Sequence, residues 1–60
     1  MKFTPGQPVI VLDTEYKPAG TAIIKIFNLN TGQYTVNFKY ANSEEPEEIN
    51  IPEERLILKQ

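Results

Sequence analysis

An all-β fold, a small five-stranded and strongly bent antiparallel barrel, is what these sixty residues predict, and three observations carry the prediction. Tyr34, Val36, Phe38 and Tyr40 alternate with Thr35, Asn37 and Lys39, the period of two expected of a half-buried strand. Apolar, β-branched runs recur along the chain in pieces of three to nine residues, separated by proline, glycine and asparagine. No stretch of ten residues or more carries the 3.6-residue period of a helix. A chain of this length makes one domain, spanning residues 1–60, and hides only about 60% of the surface its unfolded form exposes, so its core is thin.

The first strand falls in PVIVLD, after the turn TPGQP. Pro5-Gly6 favours a type II turn, and Pro8 fits only where the ladder requires no donor. DTEYKPAG follows as a longer loop. The second strand lies in TAIIKIFNL, where strict alternation puts Ala22, Ile24 and Ile26 on one face and Thr21, Ile23, Lys25 and Phe27 on the other. Asn30-Thr31-Gly32 then makes a three-residue hairpin loop with Gly32 in the left-handed conformation, which pairs Leu29 with Gln33, Ile26 with Val36, Ile24 with Phe38 and Ala22 with Tyr40. EEINI gives a short fourth strand with Ile49 and Ile51 inward. PEER supplies one helical turn with Pro52 at its start, and LILK the last strand. The three glycines, Gly6, Gly20 and Gly32, sit singly at expected turns.

Composition narrows the chemistry. With no cysteine, disulfides, thiolate metal sites and cysteine nucleophiles are excluded, and a small domain without such staples suits a reducing compartment; the cytoplasm is the expected one. The apolar run Val9 to Leu12 is too short for a signal-peptide core or a membrane span, so no membrane association is expected. Histidine is absent and aspartate occurs once, and no serine has a recognisable base partner; we therefore expect no enzyme activity and no catalytic residue. No glycine-rich phosphate cradle is present, and Glu44, Glu45, Glu47 and Glu48 lack the spacing and central glycine of a calcium loop, so neither cofactor nor metal is expected.

Charge is unevenly placed: six basic and eight acidic residues give a net charge of −2, and six of the acids lie between Glu44 and Glu54. Lacking a basic cluster, the chain is a poor nonspecific binder of nucleic acid. FKYANSEEPEE, residues 38–48, sets two aromatics and an asparagine directly before four glutamates. A negative field beside Tyr40 and Asn42 attracts and orients a basic peptide, raising encounter rate more than affinity.

The order FTPGQPVIVL, GTAIIKI, YTVNF, INIPEERL resembles the small SH3-like barrels over nearly the whole chain, and VNFKYAN is similar to the signature of their Tudor-like group. That resemblance implies that Phe38, Tyr40 and Asn42 fall where the family builds an aromatic cage for methylated lysine or arginine, with Tyr16 as the early-loop aromatic. Here Ala41 stands for the family's usual glycine. Alternation itself sends Phe38 into the core and leaves Tyr16 and Tyr40 lying over a barrel end, so both readings of these rings stand open.

Three function classes follow. The first is a protein- or peptide-binding module at a rim formed by the 13–20 and 40–48 loops, with Tyr16, Tyr40, Asn42, Glu44 and Glu45 as its binding residues. The second is a self-associating structural unit, monomer or weak homodimer, through the outward pair Ile23 and Phe27. The third is an accessory domain docking on RNA or a ribonucleoprotein through Lys25 and Lys39.

Overall fold

The computed structural model describes residues 3–40 and 44–59. Five strands follow in order: β1 (Pro8–Leu12), β2 (Pro18–Asn28), β3 (Gln33–Tyr40), β4 (Glu47–Pro52) and β5 (Leu56–Leu58), with a 3-10 turn at Glu53–Arg55 before the last. They form one antiparallel sheet in the order β4-β3-β2-β1-β5. The all-β class, the five strands and the single helical turn stand as the sequence predicts.

Connectivity forces this sheet to curl. β4 and β5 are its two edges, about 19 Å apart were the sheet flat, yet the four steps from Pro52 to Leu56 reach at most about 15 Å when fully extended and less as a 3-10 turn. Leu56 also pairs with Val11, near the far end of β1, which Arg55 grips by donating from Nε to the Leu12 carbonyl at 2.9 Å. Among the described residues no hydrogen-bonded ladder joins β4 to β5, so the sheet is curled but not closed.

Most of the bending falls on β2, eleven residues long and interrupted twice. Its pairing with β1 slips at Ala19, and its pairing with β3 slips between Ile24 and Ile26, leaving Lys25 as the extra residue of a β-bulge. This bulge corrects the hairpin expected from strict alternation. The pairs are Ala22 with Phe38, Ile24 with Val36, Ile26 with Thr35, Phe27 with Tyr34 and Asn28 with Gln33. Ile24 therefore faces Val36, not Phe38, and the loop has four residues, Leu29 to Gly32, closed by Gly32 N–H donating to the Asn28 carbonyl at 2.8 Å. Gly32 does take a positive φ of 73°. Past the bulge the faces exchange: Ile26 turns outward and Phe27 turns in, its ring centroid 4.9 Å from that of Tyr34.

The core lies on the concave face. Val9, Val11, Ala22, Ile24, Tyr34, Val36, Phe38, Ile51 and Leu56 are buried, with Phe27 and Ile49 packed against them. Phe3, unmarked by any periodicity, joins them: its ring meets Tyr34 edge-on at 5.5 Å, and its N–H donates to the Tyr34 hydroxyl at 3.1 Å. The turn behind it is as expected, with Gln7 N–H donating to the Thr4 carbonyl and Gly6 at φ 91° in the position a type II turn reserves for glycine.

Candidate functional site

Gly20 pairs with Val11 on one side and Tyr40 on the other, so the β1–β2 turn and the β3–β4 connection leave the sheet at the same end. Both connections are shorter than the sequence suggests. Pro18, Ala19 and Gly20 belong to β2, because the Asp13 carboxylate organises a tight turn: Oδ1 accepts N–H bonds from Glu15 (2.8 Å) and Lys17 (3.0 Å), while the Asp13 N–H donates to the Lys17 carbonyl. Glu47 and Glu48 belong to β4, as the reading of EEINI as the fourth strand has it, which shortens the loop expected over 40–48. Of the rim expected over 13–20 and 40–48, the turn Asp13–Lys17 and the stretch between Tyr40 and Glu47 remain.

Tyr16 stands at the tip of the first turn, exposed, with a left-handed φ of 62°. It makes no ring contact among the described residues. Tyr40 is different. Its ring lies edge-on against Phe38 with centroids 4.5 Å apart and keeps about half its surface, 47%, in solvent. Phe38 itself is 2% exposed, so it supports Tyr40 from below instead of presenting a second face. Glu47, the cross-strand partner of Phe38, shares that face of the sheet and is exposed, as are Glu44 and Glu45. Asn42 lies outside the described residues. The site thus offers one supported aromatic ring with Glu47 on the same face, and two further exposed carboxylates, Glu44 and Glu45, on the connection that leads into β4.

The opposite, convex face carries the residues of the other two function classes. Ile23 is 45% exposed there, but Phe27 is not, for the bulge has turned it into the core and put Ile26 in its place. Lys25 does point outward, where its Nζ pairs with Glu48 Oε2 at 2.7 Å. A polar row continues beside it, as Asn28 Nδ2 donates to Thr35 Oγ1 and Thr35 Oγ1 to Asn50 Oδ1. Lys39 keeps its place on this face with no ion-pair partner among the described residues. Two contributors went unseen in the sequence: Lys59, carried next to Pro8 by its N–H bond to the Pro8 carbonyl, and Pro46 beside Lys39.

Among the described residues no group of three or more histidine, cysteine or carboxylate side chains is arranged to hold a metal ion, and no helix is long and apolar enough to cross a membrane. Comparison with protein-family models, with curated proteins and with solved structures finds no match for this chain.

Proposed function

We propose that this chain is a small SH3-like barrel acting as a non-catalytic binding module, and that it takes a basic peptide segment at the end of the sheet where Tyr40 meets the glutamates. The strand order, with both edges brought together by a single 3-10 turn, supports the fold part of this reading. The observation that carries the binding part is the half-exposed Tyr40 ring held edge-on by Phe38, with Glu47 exposed on the same face and Glu44 and Glu45 exposed on the connection to β4. An aromatic ring fixed in place binds a cationic side chain with little loss of its own freedom, and the carboxylates raise the local concentration of positive charge.

A methyl-ammonium cage has less support, since such a cage requires several ring faces at one mouth and Phe38 offers none to solvent. The RNA reading loses weight with the Lys25–Glu48 pair, which neutralises one of its two lysines. Amide chemical-shift mapping against lysine-rich peptides, methylated and unmethylated, tests the proposal. Shifts at Tyr40, Glu44, Glu45 and Glu47 that disappear in Tyr40→Ala are the expected result; shifts confined to the convex face, or none at millimolar peptide, overturn it.

A further inference from the structure

The convex face bears a second feature of opposite charge. Two side-chain rows cross it: Lys39, Thr21, Ile10 and Ile57, then Glu48, Asn37, Ile23 and Pro8, with Lys59, the residue after β5, continuing the second row. Between them lies a shallow depression with Pro8, Thr21, Ile23 and Asn37 as its floor and Lys39 and Lys59 at its flanks. Ile23, 45% exposed, is the apolar centre. Neither flanking lysine has an ion-pair partner among the described residues, whereas Lys25, further along β2, is held by Glu48. In a chain of net negative charge, two free cations around an exposed isoleucine form a local positive site.

We propose that this depression docks an acidic peptide segment in extended conformation, of the pattern carboxylate, spacer, aliphatic residue, spacer, carboxylate. The spacing argues for that pattern. Lys39 on β3 and Lys59 just past β5 are three strand steps and one row apart, about 14 Å across the strands and about 7 Å along them, or about 16 Å in all. Residues i and i+4 of an extended chain are about 13 Å apart and lie on one face with residue i+2 between them. The two carboxylates of such a segment therefore reach the two ammonium groups while the central aliphatic side chain covers Ile23. Flexible lysine stems absorb the small mismatch. The sheet's own ladders occupy the backbone groups beneath, so side chains supply all the affinity and the contact is weak and salt-sensitive.

The test is amide chemical-shift mapping of the full chain with the capped peptide GETVTEG, alongside its neutral analogue GQTVTQG and its basic analogue GKTVTKG. The acidic peptide is expected to shift Thr21, Ile23, Asn37, Lys39 and Lys59. Replacing both Lys39 and Lys59 by Gln, at exposed positions that leave the core intact, is expected to weaken binding about fivefold or more, as loss of two exposed ion pairs implies. Equal binding of the neutral analogue, an undiminished double variant, or absence of these shifts at millimolar peptide overturns the proposal. So does a short oligothymidylate that shifts these amides where the peptide does not, which would assign the site to phosphate. Burial of the same amides in a concentration-dependent dimer would assign it to a second copy and equally overturn it. Because the rim is probed by basic peptides and different amides, failure here leaves the rim proposal standing, and the converse holds.

Discussion

The ring of Phe38 fills the space that a side chain on Gly20 would need. A Cβ at Gly20 would collide with the Lys39 carbonyl oxygen and sit 2.8 Å from Cε1 of Phe38. Gly20 is thus no turn residue, as its isolated position suggests, but a strand glycine that lets an aromatic from the neighbouring strand fold over it. Gly20→Ala should therefore cost about 1–3 kcal/mol, the usual range for overpacking a tight site. Denaturant unfolding checks it; an unchanged midpoint would mean that both the Lys39 carbonyl and the Phe38 ring have room to move.

Phe38→Ala removes the ring from beneath Tyr40 and from the centre of the core, a loss of about 3–5 kcal/mol. In a domain with a core this thin, that approaches the whole stability. Circular dichroism should report an unfolded chain, and Phe38→Leu a folded but weakened one.

Tyr34 is fully buried, and its hydroxyl accepts the N–H of Phe3 across thirty-one positions of sequence. Tyr34→Phe deprives that buried donor of its acceptor while keeping the ring, at a cost of about 1–3 kcal/mol. Hydrogen exchange at Phe3 should accelerate more than at Val36. Equal protection of both amides in the variant would show that the bond contributes nothing.

How far the fold is legible depends on whether neighbouring signals agree. Tyr34, Val36 and Phe38 alternate with polar residues, so the sequence admits a single inward face, and the structure adopts it. In β2 the run Ile23-Ile24-Lys25-Ile26-Phe27 offers apolar residues in both phases. Nothing local distinguishes a regular strand from one bulged at Lys25; the choice is made by the curl and by Tyr34, which needs Phe27 against it. The exposure of Tyr40 and of Glu44, Glu45 and Glu47 was legible, since they are close together in sequence and fall at a strand end and in a polar run. The convex depression was not, because Lys59 and Pro8 meet Lys39 and Ile23 only through pairing of β1 with β5 and β2.

The exchange of faces is itself testable by truncation. Ile26→Ala, at a position 55% exposed, should change stability by no more than about 0.5 kcal/mol. Phe27→Ala should cost clearly more, about 2 kcal/mol for a half-buried ring. The reverse order would restore the unbulged strand.

Deleting Lys25 separates what the bulge does from what its side chain does. The Lys25–Glu48 pair is exposed on both sides, 49% and 59%, so Lys25→Gln should alter stability by less than about 1 kcal/mol. Deletion acts on the backbone: Ile24 still faces Val36, Ile26 still faces Thr35 and Phe27 still faces Tyr34, now in an uninterrupted ladder. All the side-chain pairs of β2 and β3 survive, while the extra twist that a bulge gives its strand is lost. That twist helps bring β4 round to β5 within the reach of Glu53–Arg55. The deletion should therefore loosen the closure, not the hairpin, with exchange accelerating at Leu56, Leu58 and Lys59 before it does at Val36 and Phe38, and with a stability loss above about 1 kcal/mol. A deletion variant as stable as the parent, with the β1–β5 amides equally protected, would place the bend elsewhere in β2, at the second irregularity beside Ala19.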